Sequence, residues 1–147
     1  MSSVLRLRLP LRRSSARRLR TSFSALLDAN GVPAKAAGEV LLAADEAFTN
    51  AFMHSGDVAG EVRVHAEVRD SHVVVEVRDA GCGFDPRAHD VTATPDPRLA
   101  HGRGLFLIHH LMDDVEVRSH GRGAGTLVRM AKTFSRRPRP VAGLGDS

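Results

Sequence analysis

A two-layer α/β sandwich, with a mainly antiparallel sheet and helices gathered on one face, is the fold this sequence predicts. Two observations carry it. Apolar and polar residues alternate with period two in stretches that come in pairs, each pair joined by a short polar or glycine-rich turn, so the strands form hairpins. Helical periodicity falls before the first pair and once between the pairs, not between successive strands. A parallel doubly wound sheet needs a helix between most of its strands, and the hairpins exclude it.

The elements follow in order. Val4-Leu-Arg-Leu-Arg-Leu9 alternates apolar and basic residues, which predicts a half-buried strand, and Pro10 suits its edge or its end. Ser14 or Ser15 is the expected cap of the next helix, which places Leu19, Phe23, Leu26 and Leu27 on one face and stops at Asn30-Gly31. Pro33 then stands where a first helical turn tolerates proline. The second helix runs to about Met53, with Val40, Leu41, Ala44, Phe48 and Ala51 as its buried stripe, and His54-Ser-Gly56 closes it. Residues 61–68 and 73–77 form a hairpin around Asp70-Ser71. Residues 84–101 contain Pro86, Pro95 and Pro97 and lack periodicity; a loop that long in a small domain is expected to be functional. Leu105 to Met112 reads as a short helix, and 115–118 with 126–130 as a last hairpin around Gly121-Arg-Gly-Ala-Gly125. One domain over 1–134 and a disordered tail over 135–147 complete the expectation.

Composition narrows the function classes. The single cysteine, Cys82, excludes an internal disulfide and fits a reducing compartment, and no Cys/His set has zinc spacing. Eight histidines are scattered without shared spacing. No apolar run reaches the length of a membrane span and the N-terminus lacks a signal-peptide core, so a cytoplasmic protein is expected. The net charge of +4 is concentrated at the ends, in Arg6, Arg8, Arg12, Arg13, Arg17, Arg18 and Arg20 and in Arg136, Arg137 and Arg139. Basic ends can mark nucleic-acid binding. With no Trp or Tyr and 4% aromatics, the stacking platforms of single-strand binders are missing, and solvated arginine faces are the simpler reading.

Three stretches carry chemistry together that each lacks alone. Glu46 and Asn50 are one helical turn apart and share a face. An asparagine carbonyl suits Mg2+, which keeps most of its waters and binds substrate phosphates, and a glutamate beside it suits a general base. Alone, the pair reads as a solvated Glu–Asn surface. An asparagine among Ala47, Phe48 and Ala51 is costly to bury unpaired, which favours a ligand. Asp79 follows the 73–77 strand and precedes Ala-Gly81-Cys-Gly83. Such a carboxylate accepts from an exocyclic amine like that of adenine, and the glycines let backbone approach a ligand; alone, it is an ordinary strand-ending turn. Gly102-Arg103-Gly104 opens the helix that begins at Leu105, where backbone N–H groups favour phosphate. Thr126 starts the last strand, as a ligand hydrogen-bonder or a plain β-branched strand residue. The combination points to ATP.

Taken in order, Glu46 with Asn50, Asp79-x-Gly81-x-Gly83, Gly102-Arg103-Gly104-Leu-Phe-Leu-Ile108 and Gly125-Thr126 resemble the asparagine box, the two glycine boxes and the final box of the GHKL ATPase superfamily, which includes gyrase and histidine kinases. The stretch from Gly102 to Val115 looks like the anti-sigma-factor serine kinase branch, and the resemblance spans about Leu5 to Lys132. It implies that Asn50 binds Mg2+ and Glu46 is the catalytic base. It implies that Asp79 reads the adenine amine, that Gly81, Gly83, Gly102, Arg103, Gly104, Leu105 and Thr126 shape the ATP site, and that 84–101 is the lid. By the same resemblance the chain phosphorylates an anti-sigma factor antagonist on serine, sequesters a sigma factor and forms a homodimer, without direct contact to nucleic acid or membrane. Some members carry an arginine two residues before the first glycine of the second glycine box, and Ala100 stands there instead. Phosphoryl transfer depends on positioning and charge, so loss of that arginine would spare ATP binding and weaken transfer. The alternative expectation is therefore an ATP-binding regulatory module with little or no kinase activity. A histidine-kinase catalytic domain is disfavoured, because the chain has no room for a dimerisation helix pair.

Overall fold

The computed structural model describes residues 3–54, 60–79, 100–119 and 125–135, except the side chains of 52–54, 100–104 and 119. The described elements are β1 (Ser3–Pro10), α1 (Ser14–Ala29), α2 (Ala34–His54), β2 (Glu61–Arg69), β3 (His72–Asp79), α3 (Ala100–Leu111), β4 (Asp114–Ser119) and β5 (Thr126–Thr133). The five strands make one sheet in the order β1-β2-β3-β5-β4, and every neighbouring pair is antiparallel. This is the two-layer antiparallel α/β architecture expected from the hairpins. The proposed Gly81 and Gly83 turn, Cys82, the 84–99 part of the lid and the 136–147 tail lie outside the described residues.

Period-two alternation decides which way each strand faces. Val62, Val64, Ala66 and Val68 of β2 are buried, as are Val73, Val75 and Val77 of β3, while Glu61, Arg63 and Arg78 face water. The register sets Leu9 beside Val62 and Val64 beside Val77, and Val75 beside Met130, so the buried side chains form one continuous face. Each fully buried valine contributes about 1.5–3 kcal/mol. α1 covers this face with Leu19, Phe23 and Leu27, and α2 with Val40, Ala43, Ala44, Ala47 and Phe48, packed over β3 and β5. Leu26 and Leu41, expected on the buried stripes, are only half-buried.

Several local details differ from expectation. Neither Ser14 nor Ser15 caps α1. Arg13 holds the cap position without a side-chain bond, and the Ser15 hydroxyl donates to the Pro10 carbonyl at 2.7 Å, fastening the helix start to β1. The helix ends as predicted: Gly31 takes φ 69°, and its N–H and that of Val32 bond back to Asp28 and Leu27. Pro33 precedes α2, its carbonyl accepting from the Ala37 N–H at 2.8 Å.

The α3–β4 corner is tied to β5 by Asp113. Its carboxylate accepts from the Thr133 N–H at 2.7 Å and the Thr133 hydroxyl at 2.9 Å, and these bonds hold its pKa below the usual 3.8. A lowered carboxyl pKa stabilises the fold above pH 3.8, and the contribution is lost as pH falls through the folded value. Asp113→Ala should therefore lower stability near neutral pH by at most about 1 kcal/mol, since the group is exposed. Thermal melts should show that the gap between variant and parent closes on acidification.

Candidate functional site

Lys132 of β5 fixes how the helices lie over the sheet. Its ammonium, 13% exposed, pairs with Glu39 of α2 at 3.1 Å and donates to the Leu111 carbonyl at the end of α3 at 2.7 Å. From Glu39, α2 rises about 16 Å to reach Asn50. From Lys132, β5 runs back about 20 Å to Thr126. From Leu111, α3 runs back about 10 Å to Gly104. α2 packs on α3, β3 and β5. The clamp thus ties β5 to both α2 and α3, with Asn50, Gly104 and Thr126 each several residues along its own element from it. Sequence reading missed Lys132; its signal was a lone lysine in an apolar strand of an arginine-rich chain.

Two buried polar side chains lack partners among the described residues. The Asn50 amide nitrogen and the Thr126 hydroxyl are enclosed, on residues 7% and 3% exposed, without a hydrogen bond among the described residues. A buried amide or hydroxyl left unpaired costs about 1–3 kcal/mol, so two of them together mark a place built for a ligand. Asp79 is the last residue of β3 rather than a residue beyond the strand; it is buried and stands directly opposite Thr126 in the register. Asp79 and Thr126 are thus brought side by side on the helix-facing side of the two central strands. Gly125, at φ 85°, supplies the left-handed turn that leads into β5.

Glu46 lies one turn before Asn50 on α2 and is half-buried. Burial raises its pKa above the usual 4.5, and the neighbouring Asp45 charge adds to the rise. Asp45 itself reaches towards α1, where Arg20 contacts it at 3.4 Å. Its influence on Glu46 was not anticipated, although the adjacency of two carboxylates was visible. A raised pKa makes Glu46 a stronger proton acceptor, as a general base requires.

The second glycine box differs from its expected place. α3 begins at Ala100, so Gly102 and Gly104 lie within its first turns instead of preceding it, and the last residues of the expected lid, Ala100 and His101, are helical. The first backbone N–H groups of a helix have no partner within it and suit phosphate. Leu105, 3% exposed, belongs to the core and contributes packing under the site. The polar set fits Mg-ATP: the Asn50 amide nitrogen and the Thr126 hydroxyl can donate to phosphate oxygens, and the Asn50 amide oxygen suits an ion that keeps most of its waters. Asp79→Asn should narrow the preference for ATP over GTP; equal affinity for both nucleotides in the parent protein would contradict the base-reading role.

A groove of about 610 Å³ lies on the opposite face of the sheet, among Arg6, Arg8, Arg63, His65, Glu76, Arg78 and Leu127. It contains none of the predicted site residues.

Comparison with known proteins bears on the fold and the family. Residues 9–132 match the histidine kinase-like ATPase domain family. An anti-sigma F factor from Pasteuria penetrans is 38% identical over 94 residues, covering 59% of this chain and 61% of that protein. An anti-sigma F factor from Clostridium acetobutylicum is 33% identical over 101 residues, covering 66% and 70%. A serine-protein kinase RsbW from Listeria monocytogenes is 30% identical over 126 residues, 80% of each chain. Among solved structures, the RsbU and RsbW domains of a Mycobacterium tuberculosis protein superpose with a TM-score of 0.70 at 21% identity, over 93% of this chain and 33% of that one. Similarity at that identity establishes the fold. The match over residues 9–132, on a five-stranded antiparallel sheet with helices on one face, shows that this chain belongs to the histidine kinase-like ATPase domain family.

Proposed function

We propose that the chain is an ATP-dependent protein serine kinase that acts as an anti-sigma factor: it phosphorylates an anti-sigma factor antagonist on serine and sequesters a sigma factor. The similarity to anti-sigma F factors and to the RsbW kinase, spread over much of the chain, supports the partner class. The carrying observation is the pair of buried groups without partners among the described residues, Asn50 on α2 and Thr126 at the start of β5. In this reading Asn50 would hold Mg2+ through its amide oxygen, the ion supplying charge to the phosphates, and Asp79 would accept from the adenine amine. Thr126, Gly102, Arg103 and Gly104 bind around the nucleotide, with Leu105 beneath. Gly81 and Gly83 complete the pocket. Glu46 takes the proton from the attacking serine hydroxyl as its oxygen bonds to the γ-phosphorus and ADP departs. The protein works in the cytoplasm as a homodimer without touching nucleic acid.

A second reading rests on Ala100, the first residue of α3, which stands where the family resemblance puts an arginine in some members. It makes the chain an ATP-dependent binding module with little transfer. Mixing the protein with Mg-ATP and purified antagonist separates the two: phosphoserine on the antagonist supports the kinase, and complex formation without phosphoserine supports the module.

A further inference from the structure

We propose that the outer face of the sheet docks an acidic polypeptide segment of a partner protein on a row of arginines that crosses the strands. The register sets Arg8 opposite Arg63, Arg63 opposite Arg78, Arg78 opposite Leu127, and Leu127 opposite Arg118. Neighbouring strands are about 4.8 Å apart, and like charges directly opposite each other are destabilising. Glu61 lies between Arg8 and Arg63 at 3.6 and 3.7 Å, but all three side chains are exposed and such contacts are weak. Arg78 has no ion-pair partner among the described residues. Arg118 is paired with Glu116 at 2.6 Å, but Arg6, Arg8, Arg63 and Arg78 line a groove of about 610 Å³ in which the one carboxylate, Glu76, contacts His65 at 3.5 Å, and this excess of positive charge calls for an anionic occupant.

The occupant's class follows from the rest of the groove. Guanidinium forks match carboxylates in bidentate pairs. Leu127 interrupts the row with an apolar floor, 8% exposed and outside the main core. A polypeptide that alternates acidic and apolar side chains satisfies both. A nucleic acid has no apolar side chain for Leu127, and the strands offer it no outward Phe, Tyr or Trp for stacking. A second copy of this face would bring the same arginine row against it. No residue of the nucleotide site lies on this face, so the proposal stands apart from the kinase reading.

The test uses the whole chain and a fluorescein-labelled ten-residue peptide alternating Glu and Val, followed by anisotropy in low and in physiological salt. The peptide should bind at low salt and weaken as salt screens the charges. Arg63→Thr combined with Arg78→Thr should loosen it at least about tenfold, whereas Arg17→Thr on the exposed side of α1 should not. Arg78→Thr alone should raise the melting temperature by about 1–3 °C, because it relieves cross-strand repulsion. Three results would overturn the proposal: no peptide binding at low salt, equal loosening by Arg17→Thr, or a fall in melting temperature for Arg78→Thr. A DNA duplex that displaces the peptide and itself depends on Arg63 and Arg78 would also overturn it, by assigning the face to nucleic acid.

Discussion

Replacing Glu46 by glutamine is expected to cut serine phosphorylation by about 100- to 10,000-fold while leaving ATP affinity unchanged, the range that a positioned general base contributes. Glutamine keeps the shape and a hydrogen-bonding end but cannot take a proton at neutral pH. A second consequence separates this from simple damage to the fold. Burial and Asp45 both disfavour the charged form of Glu46, so its folded pKa is above 4.5. A carboxyl with a raised folded pKa favours the fold while protonated, and that advantage is lost as pH rises from 4.5 through the folded value. At neutral pH the charged group is therefore a burden, and Glu46→Gln should melt at a higher temperature than the parent. In the parent, transfer should fall on acidification at a pH above 4.5, as the base takes up its proton. The variant's residual activity should lack that limb. A variant that transfers phosphate normally would remove Glu46 from the mechanism.

Asn50→Leu is expected to abolish Mg-dependent ATP binding and to stabilise the nucleotide-free protein. Leucine is close to asparagine in shape and has no polar atoms. It would replace an enclosed amide nitrogen that has no partner among the described residues, on a residue 7% exposed and surrounded by Ala47, Phe48 and Ala51. Removing an unsatisfied buried group returns about 1–3 kcal/mol, which for a chain of this length raises the melting temperature by roughly 2–4 °C per kcal/mol. A structural asparagine would behave in the opposite way, with the variant melting lower. The sign of the shift in the apo protein therefore reports on function without any assay of activity.

Both predictions depend on residues legible in the sequence, and the reason is physical. The spacing of Glu46 and Asn50 places them on one helix face whatever surrounds the helix, and period two places Asp79 on the same sheet face as Val73, Val75 and Val77. Hairpins set the directions of two strand pairings, β2 with β3 and β4 with β5, but β1 pairs with β2 across α1 and α2, and β3 with β5 across α3 and β4, and no local signal encodes either. The pairing of β3 with β5 is what sets Asp79 beside Thr126. The start of α3 was misplaced because Gly102 and Gly104 are poor helix formers, and packing of the helix against α2 outweighs their propensity. The Ser15 hydroxyl had two possible uses, a helix cap or a bond to the preceding strand, and only the path of the chain at Pro10 decides between them. The Lys132 clamp depends on three separate segments meeting, which sequence periodicity does not describe.

The most direct test of the central claim is calorimetric titration of the whole protein with ATP, with and without Mg2+, on parent and Asn50→Leu. The account predicts saturable binding in the parent that strengthens with Mg2+ and disappears in the variant. Binding to Asn50→Leu as tight as to the parent, or affinity in the parent that ignores Mg2+, would contradict it.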